Sequence, residues 1–211
     1  MKRCVIFGGG DVLDYDAVKP QICADDFIIC ADSGYRHCAQ MGIRPNLLMG
    51  DFDSIGNIPE DIPLIPYDSE KDYTDSTLAA RHALALEARQ ILFAGMTGSR
   101  LDHSLANLQT MAYCAKYADC RMTDGHTDIY ALYADTQATR KIIAPRPGCC
   151  FSLLALSQIC EDVSIRGAKY TLDSYNLRFD DARAISNEFT LENAEISLSC
   201  GVLLVIVTPA R

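Results

Sequence analysis

Phe27-Ile28-Ile29-Cys30-Ala31-Asp32-Ser33-Gly34 is the stretch that decides the predicted fold class, because an apolar run stops abruptly there at Asp, Ser and Gly. A helix is predicted from Tyr35 to Met41, since Asp32 and Ser33 suit a helix start and Gly42 suits a helix end. A short apolar strand, a polar turn and a helix together make the repeating unit of a parallel sheet.

The same pattern recurs through residues 1–125, which we predict to be one domain. Its apolar runs are residues 4–7, 27–31, 47–49, 91–94 and 120–123. Two further helices are predicted over residues 76–89 and 104–117. Their apolar faces would contain Leu78, Ala79, His82, Ala85 and Leu86 in the first helix, and Leu105, Leu108, Ala112 and Ala115 in the second. Uninterrupted apolar strands that alternate with helices predict an α/β fold with a parallel, doubly wound sheet.

Residues 126–211 have a different pattern and predict a second, all-β domain. Residues 194–200 alternate strictly between apolar and polar, and residues 202–207 form a solid apolar run rich in β-branched side chains. Residues 151–156 and 163–166 are also strand-like, while no long helical face is present. These features predict a small β-sandwich.

Composition narrows the function classes. The 211 residues carry a formal net charge of −9, which argues against nucleic acid as a partner. No apolar stretch approaches the roughly 18 to 20 residues of a membrane span, and the run at residues 4–7 is too short for a signal peptide. The ten cysteines contain no Cys-x-x-Cys pair. We therefore expect a cytoplasmic protein with reduced cysteines and no zinc site.

Gly50-Asp51-Phe52-Asp53-Ser54 is the strongest local signal for chemistry. On an extended segment, two carboxylates at i and i+2 point to the same side. At the carboxyl end of a strand such a pair would offer the hard oxygen ligands that Mg²⁺ prefers. An Asp-rich turn without a metal is the alternative interpretation.

Two more segments could bind phosphate. Lys71-Asp72-Tyr73-Thr74-Asp75 opens a predicted helix, and Lys is a natural phosphate contact, although Asp at a helix start can simply be a cap. Residues 95–103 combine two glycines, Arg100 and a helix start, which would make an anion cradle or an ordinary loop. Gly8-Gly9-Gly10 lacks the third glycine of a dinucleotide-binding turn, and the chain has no P-loop.

Five short segments stand together in this order along the chain: Ala31-Asp32-Ser33-Gly34, Gly50-Asp51-Phe52-Asp53-Ser54-Ile55, Lys71-Asp72-x-Thr74-Asp75, Gly98-x-Arg100-x-Asp102-His103 and Ser186-Asn187-Glu188-Phe189. In order and spacing they resemble the motifs of the thiamine pyrophosphokinase family, and the resemblance covers nearly the whole chain. It implies an α/β ATP-binding catalytic domain over residues 1–125 and a β-sandwich thiamine-binding domain over residues 126–211. It also implies a homodimer with active sites shared between subunits, with Mg²⁺ as cofactor, ATP as pyrophosphoryl donor and thiamine as acceptor.

The resemblance assigns roles to individual residues. Asp32, Asp51, Asp53 and Asp75 would form an acidic cluster for Mg²⁺ and the phosphates, with Asp51, Asp53 and Asp75 as catalytic residues and metal ligands. The ATP-binding residues would be Asp32, Lys71, Asp72, Thr74, Arg100 and Asp102. The thiamine-binding residues would be Asp102, Ser186, Asn187 and Phe189. Some relatives have Trp at the position of Tyr170, which makes Tyr170 a competing aromatic for stacking on thiamine.

Two other functions remain open from the sequence. Asp51-Phe52-Asp53 resembles the nucleophile motif of an aspartyl-nucleophile phosphohydrolase, but that motif belongs after the first strand rather than the third. A non-catalytic thiamine- or nucleotide-binding regulator would have lost one or more of the motif acids, and all of them are present here.

Overall fold

The computed structural model describes residues 3–52, 61–68, 70–98 and 100–210. The chain divides into two compact units, Met1–His126 and Thr127–Arg211. Asp53, a predicted catalytic residue and metal ligand, lies outside the described residues. In the part of the chain that is described, no helix is long and apolar enough to cross a bilayer.

The N-terminal unit is built on six strands, and every recorded pairing among them is parallel. The strands are β1 (Arg3–Phe7), β2 (Phe27–Ala31), β3 (Leu47–Gly50), β4 (Leu64–Pro66), β5 (Gln90–Ala94) and β6 (Asp119–Thr123). Their order within this unit is β6-β5-β1-β2-β3-β4. The five predicted apolar runs all form strands. β4 was missed because Pro63 and Pro66 frame it, and proline in a strand is confined to edges or strand ends.

The described part of the same unit contains four α-helices: α1 (Tyr15–Val18), α2 (Tyr35–Met41), α3 (Asp75–Ala85) and α4 (Leu101–Cys114). α2 was predicted with its bounds, and it ends at Gly42, whose φ is 64°. The predicted capping by Asp32 and Ser33 was wrong, because no side chain caps the start of α2. A short 3-10 helix over Asp32–Gly34 leads into α2 instead.

The predicted apolar faces of α3 and α4 were largely wrong, and of the residues predicted there only Ala79 is buried. The buried residues are Ala79, Ala80 and Ala83 on α3, and Asn107, Thr110, Met111 and Cys114 on α4. Leu105 is 53% exposed. α3 packs against α4, and the Thr77 and Thr110 hydroxyl oxygens lie 2.8 Å apart across that contact. Apart from Met111, the buried residues of the two helices are small or polar, so a pattern based on leucines does not identify the buried faces.

The C-terminal unit contains two four-stranded antiparallel sheets. Its strands are β7 (Asp128–Ala134), β8 (Thr139–Ile143), β9 (Cys149–Ala155), β10 (Ile159–Arg166), β11 (Leu172–Arg178), β12 (Asn187–Glu188), β13 (Ala194–Leu198) and β14 (Gly201–Pro209). The strand orders are β12-β9-β14-β7 and β11-β10-β13-β8. Phe151, Leu153 and Leu203 of the first sheet share one core with Val163 and Ile196 of the second. Two antiparallel sheets around one core are the arrangement predicted for residues 126–211.

All ten cysteines are free thiols, and six of them are buried. Burial raises the pKa of the Cys4 thiol to about 12, with the charge of Asp26 adding to the effect. Such a thiol stays protonated at neutral pH and packs as a small apolar side chain.

Three loops, which follow β1, β2 and β5, approach one another more closely than side chains would permit. A Cβ on Gly34 would lie 2.1 Å from the carbonyl oxygen of Phe7, and a Cβ on Gly10 would lie 2.3 Å from the carbonyl oxygen of Thr97. Both contacts are with backbone, which cannot rotate away as a side chain can. The spacing of these loops therefore depends on glycine.

Replacement of Gly34 by alanine tests this dependence. We expect Gly34→Ala to lower the free energy of unfolding by about 3 kcal/mol, the upper end of the usual cost of overpacking. Gly42→Ala is the control, because open space surrounds Gly42 and only its φ of 64° is unfavourable for alanine; that change costs about 1 kcal/mol. Urea unfolding of both variants measures the difference. Equal losses would mean that the contact with Phe7 relaxes at little cost.

Candidate active site

A cavity of about 640 Å³ lies within the N-terminal unit. Its walls are the loops after β1, β2 and β5 together with the starts of α3 and α4. The lining consists of residues 9–11, 31–33, 71–76 and 96–98 with Arg36, Arg100, His103, Ser104 and Asn107. The carboxyl ends of parallel strands are where open α/β sheets bind ligands.

Six of the predicted site residues line this one cavity: Asp32, Lys71, Asp72, Thr74, Asp75 and Arg100. Asp51 is not in the lining, but it directly follows Gly50, where a Cβ would lie 3.1 Å from the Cβ of Asp32. Segments that are up to 68 residues apart in sequence thus meet at one place.

The expected common side of Asp51 and Asp53 involves Asp53, which lies outside the described residues. β3 ends at Gly50, and Phe52 has a φ of 62°, which is the left-handed region. The extended conformation that the expectation assumed therefore does not continue through Phe52. Asp32 also has a positive φ, 47°, in the loop after β2. Asp tolerates this conformation better than most residues, and such strain concentrates at functional sites.

Lys71 and Asp75 form an ion pair in the cavity wall. Lys71 Nζ lies 2.7 Å from Asp75 Oδ1, and the two side chains are only 16% and 23% exposed. The pair joins one loop residue to the first turn of α3. Each charge compensates the other at a place where water has little access.

Thr74, predicted only as a nucleotide contact, is the N-cap of α3. Its Oγ1 accepts a hydrogen bond from the Thr77 backbone N–H at 3.2 Å. The hydroxyls continue as a chain, with Thr74 Oγ1 2.9 Å from that of Thr77. Asp75 occupies the first turn, where the positive end of the helix dipole favours a carboxylate.

Arg36 and His37 of α2 hold the glycine loop after β1. Arg36 Nη2 donates to the carbonyl oxygens of Gly9 at 2.8 Å and Gly10 at 2.7 Å. His37 Nε2 lies 3.0 Å from the same Gly10 oxygen, and Tyr15 Oη lies 2.7 Å from His37 Nδ1. Neither residue was predicted from the sequence, because their contacts join segments 26 to 27 residues apart.

These contacts determine the protonation state of His37. The Gly10 carbonyl can only accept, so Nε2 carries the proton and Nδ1 accepts from the Tyr15 hydroxyl. Burial lowers the pKa of His37, and the neighbouring Arg36 charge lowers it further, while the Gly10 carbonyl and Asp11 oppose the shift. A neutral imidazole is the species that fits this arrangement.

The loop after β5 is tied to the same glycine loop. Gly10 N–H donates to the Gly95 carbonyl oxygen at 2.7 Å, and Asp11 N–H donates to that of Thr97 at 2.6 Å. From α4, the buried Asn107 donates through Nδ2 to the Met96 carbonyl oxygen at 2.7 Å. The two loops consequently form one rigid wall of the cavity.

Arg100 and Asp102 pair with each other at the exposed start of α4. The Arg100 Nη2 to Asp102 Oδ2 distance is 2.7 Å, and both side chains are about two-thirds exposed, at 68% and 66%. Hydrogen bonds from Arg100 and from the His103 backbone lower the pKa of Asp102 to about 2. Arg100 lines the cavity and Asp102 does not, so the pair lies at the rim. Because an exposed ion pair contributes little free energy, Arg100 can exchange Asp102 for another anion at small cost.

No ready-made metal site joins the predicted aspartates in the described part of the chain. The group of potential ligand atoms found close together there is Cys23, Asp25 and Asp26, within 4.8 Å of one another. That group precedes β2, and Asp26 is engaged by the Cys23 backbone N–H at 2.7 Å and by Arg3 at 3.6 Å. Asp32, Asp72 and Asp75 nevertheless bring carboxylates to one cavity, and carboxylates are ligands that Mg²⁺ accepts.

In the C-terminal unit, the side chain of Asn187 is engaged by backbone. Its Oδ1 accepts from the N–H groups of Tyr170 at 3.0 Å and Glu188 at 2.9 Å, and its Nδ2 donates to the Tyr170 carbonyl oxygen at 2.7 Å. It is 4% exposed. Ser186 has a φ of 59°, and its N–H donates to Ser152 Oγ at 3.0 Å. Both residues organise the backbone around them.

The two aromatic candidates of this unit differ in environment. Phe189 is partly buried against the core, with its ring centroid 5.0 Å from that of Phe151. Tyr170 is 58% exposed, and Lys169 Nζ lies 5.3 Å from its ring centroid. Of these two candidates, Tyr170 therefore has the ring that a ligand can reach.

The lowered pKa of His37 predicts a pH dependence of stability. Because the folded-state pKa lies below the unfolded value of about 6.5, stability is fully present above that pH and is lost as pH falls toward the folded pKa. Between pH 7.5 and 5.5 the wild type should lose about 1 kcal/mol more than His37→Gln, which keeps a donor but does not titrate. Urea unfolding at both pH values measures the two losses, and equal losses would contradict a buried neutral His37.

Comparisons with known proteins identify relatives of this chain. The family model for "Thiamin pyrophosphokinase, catalytic domain" matches residues 19–123. The family model for "Thiamin pyrophosphokinase, vitamin B1 binding domain" matches residues 140–203. The chain is 29% identical to the thiamine pyrophosphokinase of Bacillus subtilis over 185 residues, which cover 84% of this chain and 85% of that protein.

Solved structures have the same fold. The thiamine pyrophosphokinase of Bacillus subtilis superposes with a TM-score of 0.86 at 24% identity, covering all of both chains. The thiamin pyrophosphokinase of Candida albicans gives a TM-score of 0.78 at 13% identity, covering 99% of this chain and 89% of the other. The two family descriptions together span most of the sequence, one in each compact unit, and the chain belongs to the thiamin pyrophosphokinase family.

Proposed function

We propose that this chain transfers the β,γ-pyrophosphate of ATP to the hydroxyl of thiamine, giving thiamine diphosphate and AMP. The observation that carries the proposal is the cavity at the strand ends, in which Asp32, Lys71, Asp72, Thr74, Asp75 and Arg100 come together. In a member of this family, that cavity is the natural place for a nucleotide.

The reaction needs little covalent chemistry from the protein. The thiamine hydroxyl attacks the β-phosphorus in line and AMP leaves, so the main tasks are positioning and neutralisation of phosphate charge. Lys71 and Arg100 supply cationic side chains in the lining, and Arg36 holds the glycine loop beside them. The rim pair with Asp102 must open for Arg100 to bind phosphate, which costs little because both side chains are exposed.

The carboxylates fit Mg²⁺. We propose Asp51, Asp53 and Asp75 as its ligands, with Asp32 beside them; a bound Mg²⁺ would neutralise charge on the phosphates. Asp75 faces Lys71 through Oδ1, so Oδ2 is the oxygen available for the cation. A cavity rich in carboxylates also suits thiamine, which carries a permanent positive charge.

We assign nucleotide binding to residues 1–125 and thiamine binding to residues 126–211. The match of the vitamin B1 binding domain to residues 140–203 supports this division. The family motifs assign thiamine to Asp102, Ser186, Asn187 and Phe189, in a homodimer whose subunits share active sites. Of the two aromatic candidates, we propose that the exposed Tyr170 supplies the stacking ring and that Phe189 supports the site through its packing on Phe151. Since Asn187 is engaged with the backbone of Tyr170, we propose that it acts by positioning Tyr170.

We propose a doubly wound sheet for the N-terminal unit and the cytoplasm as its compartment. On one face of β1, Val5 and Phe7 share a core cluster with Cys38 and Met41 of α2. Cys4 and Ile6 point to the opposite face of β1, and they are buried as well. Burial of both faces supports helices on both sides. Ten free thiols support a reducing compartment.

The other two functions receive no support. A phosphohydrolase motif would follow the first strand, whereas Asp51 follows β3. A regulator that has lost its acids does not fit a chain that retains Asp32, Asp72 and Asp75 in one cavity.

A product assay tests the proposal. Incubated with ATP, Mg²⁺ and thiamine, the protein should release AMP and thiamine diphosphate in equal amounts. Asp51→Asn should lower kcat more than tenfold, a barrier increase above about 1.4 kcal/mol. Asp25→Asn, an exposed aspartate outside the cavity lining, is the matched control and should keep its activity. ADP with thiamine monophosphate would exclude pyrophosphoryl transfer, and phosphate covalently bound to Asp51 would favour the phosphohydrolase.

Separate measurements of stability and KM distinguish the two aromatic residues. Tyr170→Leu should raise KM for thiamine about tenfold with unchanged stability, because stacking on an exposed ring is lost. Phe189→Ala should instead lower the free energy of unfolding by about 2 kcal/mol, less than a fully buried Phe, through lost packing on Phe151. A Phe189→Ala variant of normal stability and raised KM would show that Phe189 is the stacking ring.

A further inference from the structure

Tyr73 is an aromatic residue in the cavity that no known motif explains. Among the described lining residues it is the one Tyr or Phe, and it is 46% exposed. It occupies the unspecified position of Lys71-Asp72-x-Thr74-Asp75, so the resemblance gives it no role. Its position in the chain, two residues after Lys71 and immediately before the N-cap of α3, places a flat ring beside the proposed phosphate contacts.

Arg81 of α3 braces the Tyr73 ring. The guanidinium carbon of Arg81 lies 4.2 Å from the ring centroid of Tyr73 and 5.5 Å from that of Tyr113 on α4. Tyr113 in turn contacts Tyr117, with centroids 5.6 Å apart. The ring of Tyr73, which lies in a loop, is thus held by the guanidinium of Arg81, and Arg81 also contacts Tyr113 on the neighbouring helix α4. A ring that is already fixed loses little conformational entropy when a ligand stacks on it.

We propose that Tyr73 is the platform on which the nucleobase of the nucleotide stacks. This proposal rests on the proposed function, since it assumes that the cavity holds a nucleotide. Arg81 covers the ring from one side, and the ring also lines the cavity, where a flat ligand can reach it. Stacking on an aromatic side chain is a general way of holding a base, because every base has a π face.

The charge of Arg81 favours a neutral base over thiamine at this ring. A cationic ring stacked on Tyr73 would lie within about 8 Å of the guanidinium, where like charges repel. A purine carries no charge and avoids this repulsion. Tyr73 also belongs to residues 19–123, which match the catalytic domain rather than the vitamin B1 binding domain.

Calorimetric titration of two ligands tests the platform without turnover. The ligands are α,β-methylene-ATP, which cannot be cleaved at the reacting bond, and inorganic tripolyphosphate, which has no base; both are used with Mg²⁺. Tyr73→Leu should raise the Kd of the nucleotide about tenfold and leave that of tripolyphosphate unchanged. Tyr73→Phe should bind both ligands as the wild type does. Arg81→Met, which removes the brace, should give a smaller loss for the nucleotide alone.

Tyr117→Leu is the matched control, because Tyr117 is 54% exposed in the same aromatic row but outside the cavity lining. It should bind both ligands normally, and urea midpoints of all variants verify folding. An equal loss for both ligands would overturn the proposal, because Tyr73 would then support the phosphate contacts. Unchanged nucleotide binding with a raised thiamine KM would overturn it in favour of thiamine. A wild-type protein that binds the nucleotide through Tyr73 without transferring pyrophosphate would refute only the proposed function, whereas one that binds no nucleotide would refute both.

Discussion

The close contact of three backbone segments at the ends of β1, β2 and β5 is the constraint on which the cavity depends. Gly34 meets the Phe7 carbonyl, Gly10 meets that of Thr97, and a Cβ on Gly95 would lie 2.8 Å from the Gly8 carbonyl oxygen. Hydrogen bonds then fix these loops, from Gly10 to Gly95 and from Asp11 to Thr97. Arg36, His37 and Asn107 attach the loops to helices. The cavity wall is therefore as rigid as the sheet, which a site that works by positioning requires.

In that wall, the cationic side chains of Lys71 and Arg100 are each paired with a carboxylate before any ligand binds. Lys71 pairs with Asp75 in a mostly buried place, and Arg100 pairs with Asp102 at the exposed rim. A phosphate that binds Arg100 replaces a carboxylate already surrounded by water, at small cost. Separation of Lys71 from Asp75 leaves two poorly hydrated charges, and it is favourable only if both find new partners at once. Under the proposed function, a magnesium–nucleotide complex would offer both, an anion for Lys71 and a cation for Asp75. The exchange would then disfavour binding of the nucleotide without its metal.

The sequence predicted the elements that depend on local pattern. β-branched and apolar runs indicated the strands of the N-terminal unit, and Gly42 indicated the end of α2. Most of the buried faces of α3 and α4 could not be predicted, because the buried residues there, Met111 apart, are small or polar, whereas the leucines are not fully buried. β7, β8, β11 and β12 were also missed. β11, for example, is mostly exposed along its length, so its residues carry little apolar pattern. Arg36 and Tyr73 were missed because their roles arise from contacts between segments that are distant in sequence.

The backbone conformation explains why the motif aspartates cannot be understood as a strand pattern. Six non-glycine residues in the described chain have positive φ, and Asp32, Phe52 and Ser186 among them fall in three of the five family segments. Phe is a poor residue for this region, where a bulky side chain costs about 1–3 kcal/mol. Its partly buried ring packs against the core that includes Phe7 and Leu48, and this packing offsets the strain. β3 ends at Gly50, and the chain leaves the extended conformation at Phe52, directly after Asp51. A pattern that assumes a continuous strand therefore does not apply beyond Asp51, and the packing of Phe52 on the core is what stabilises this departure.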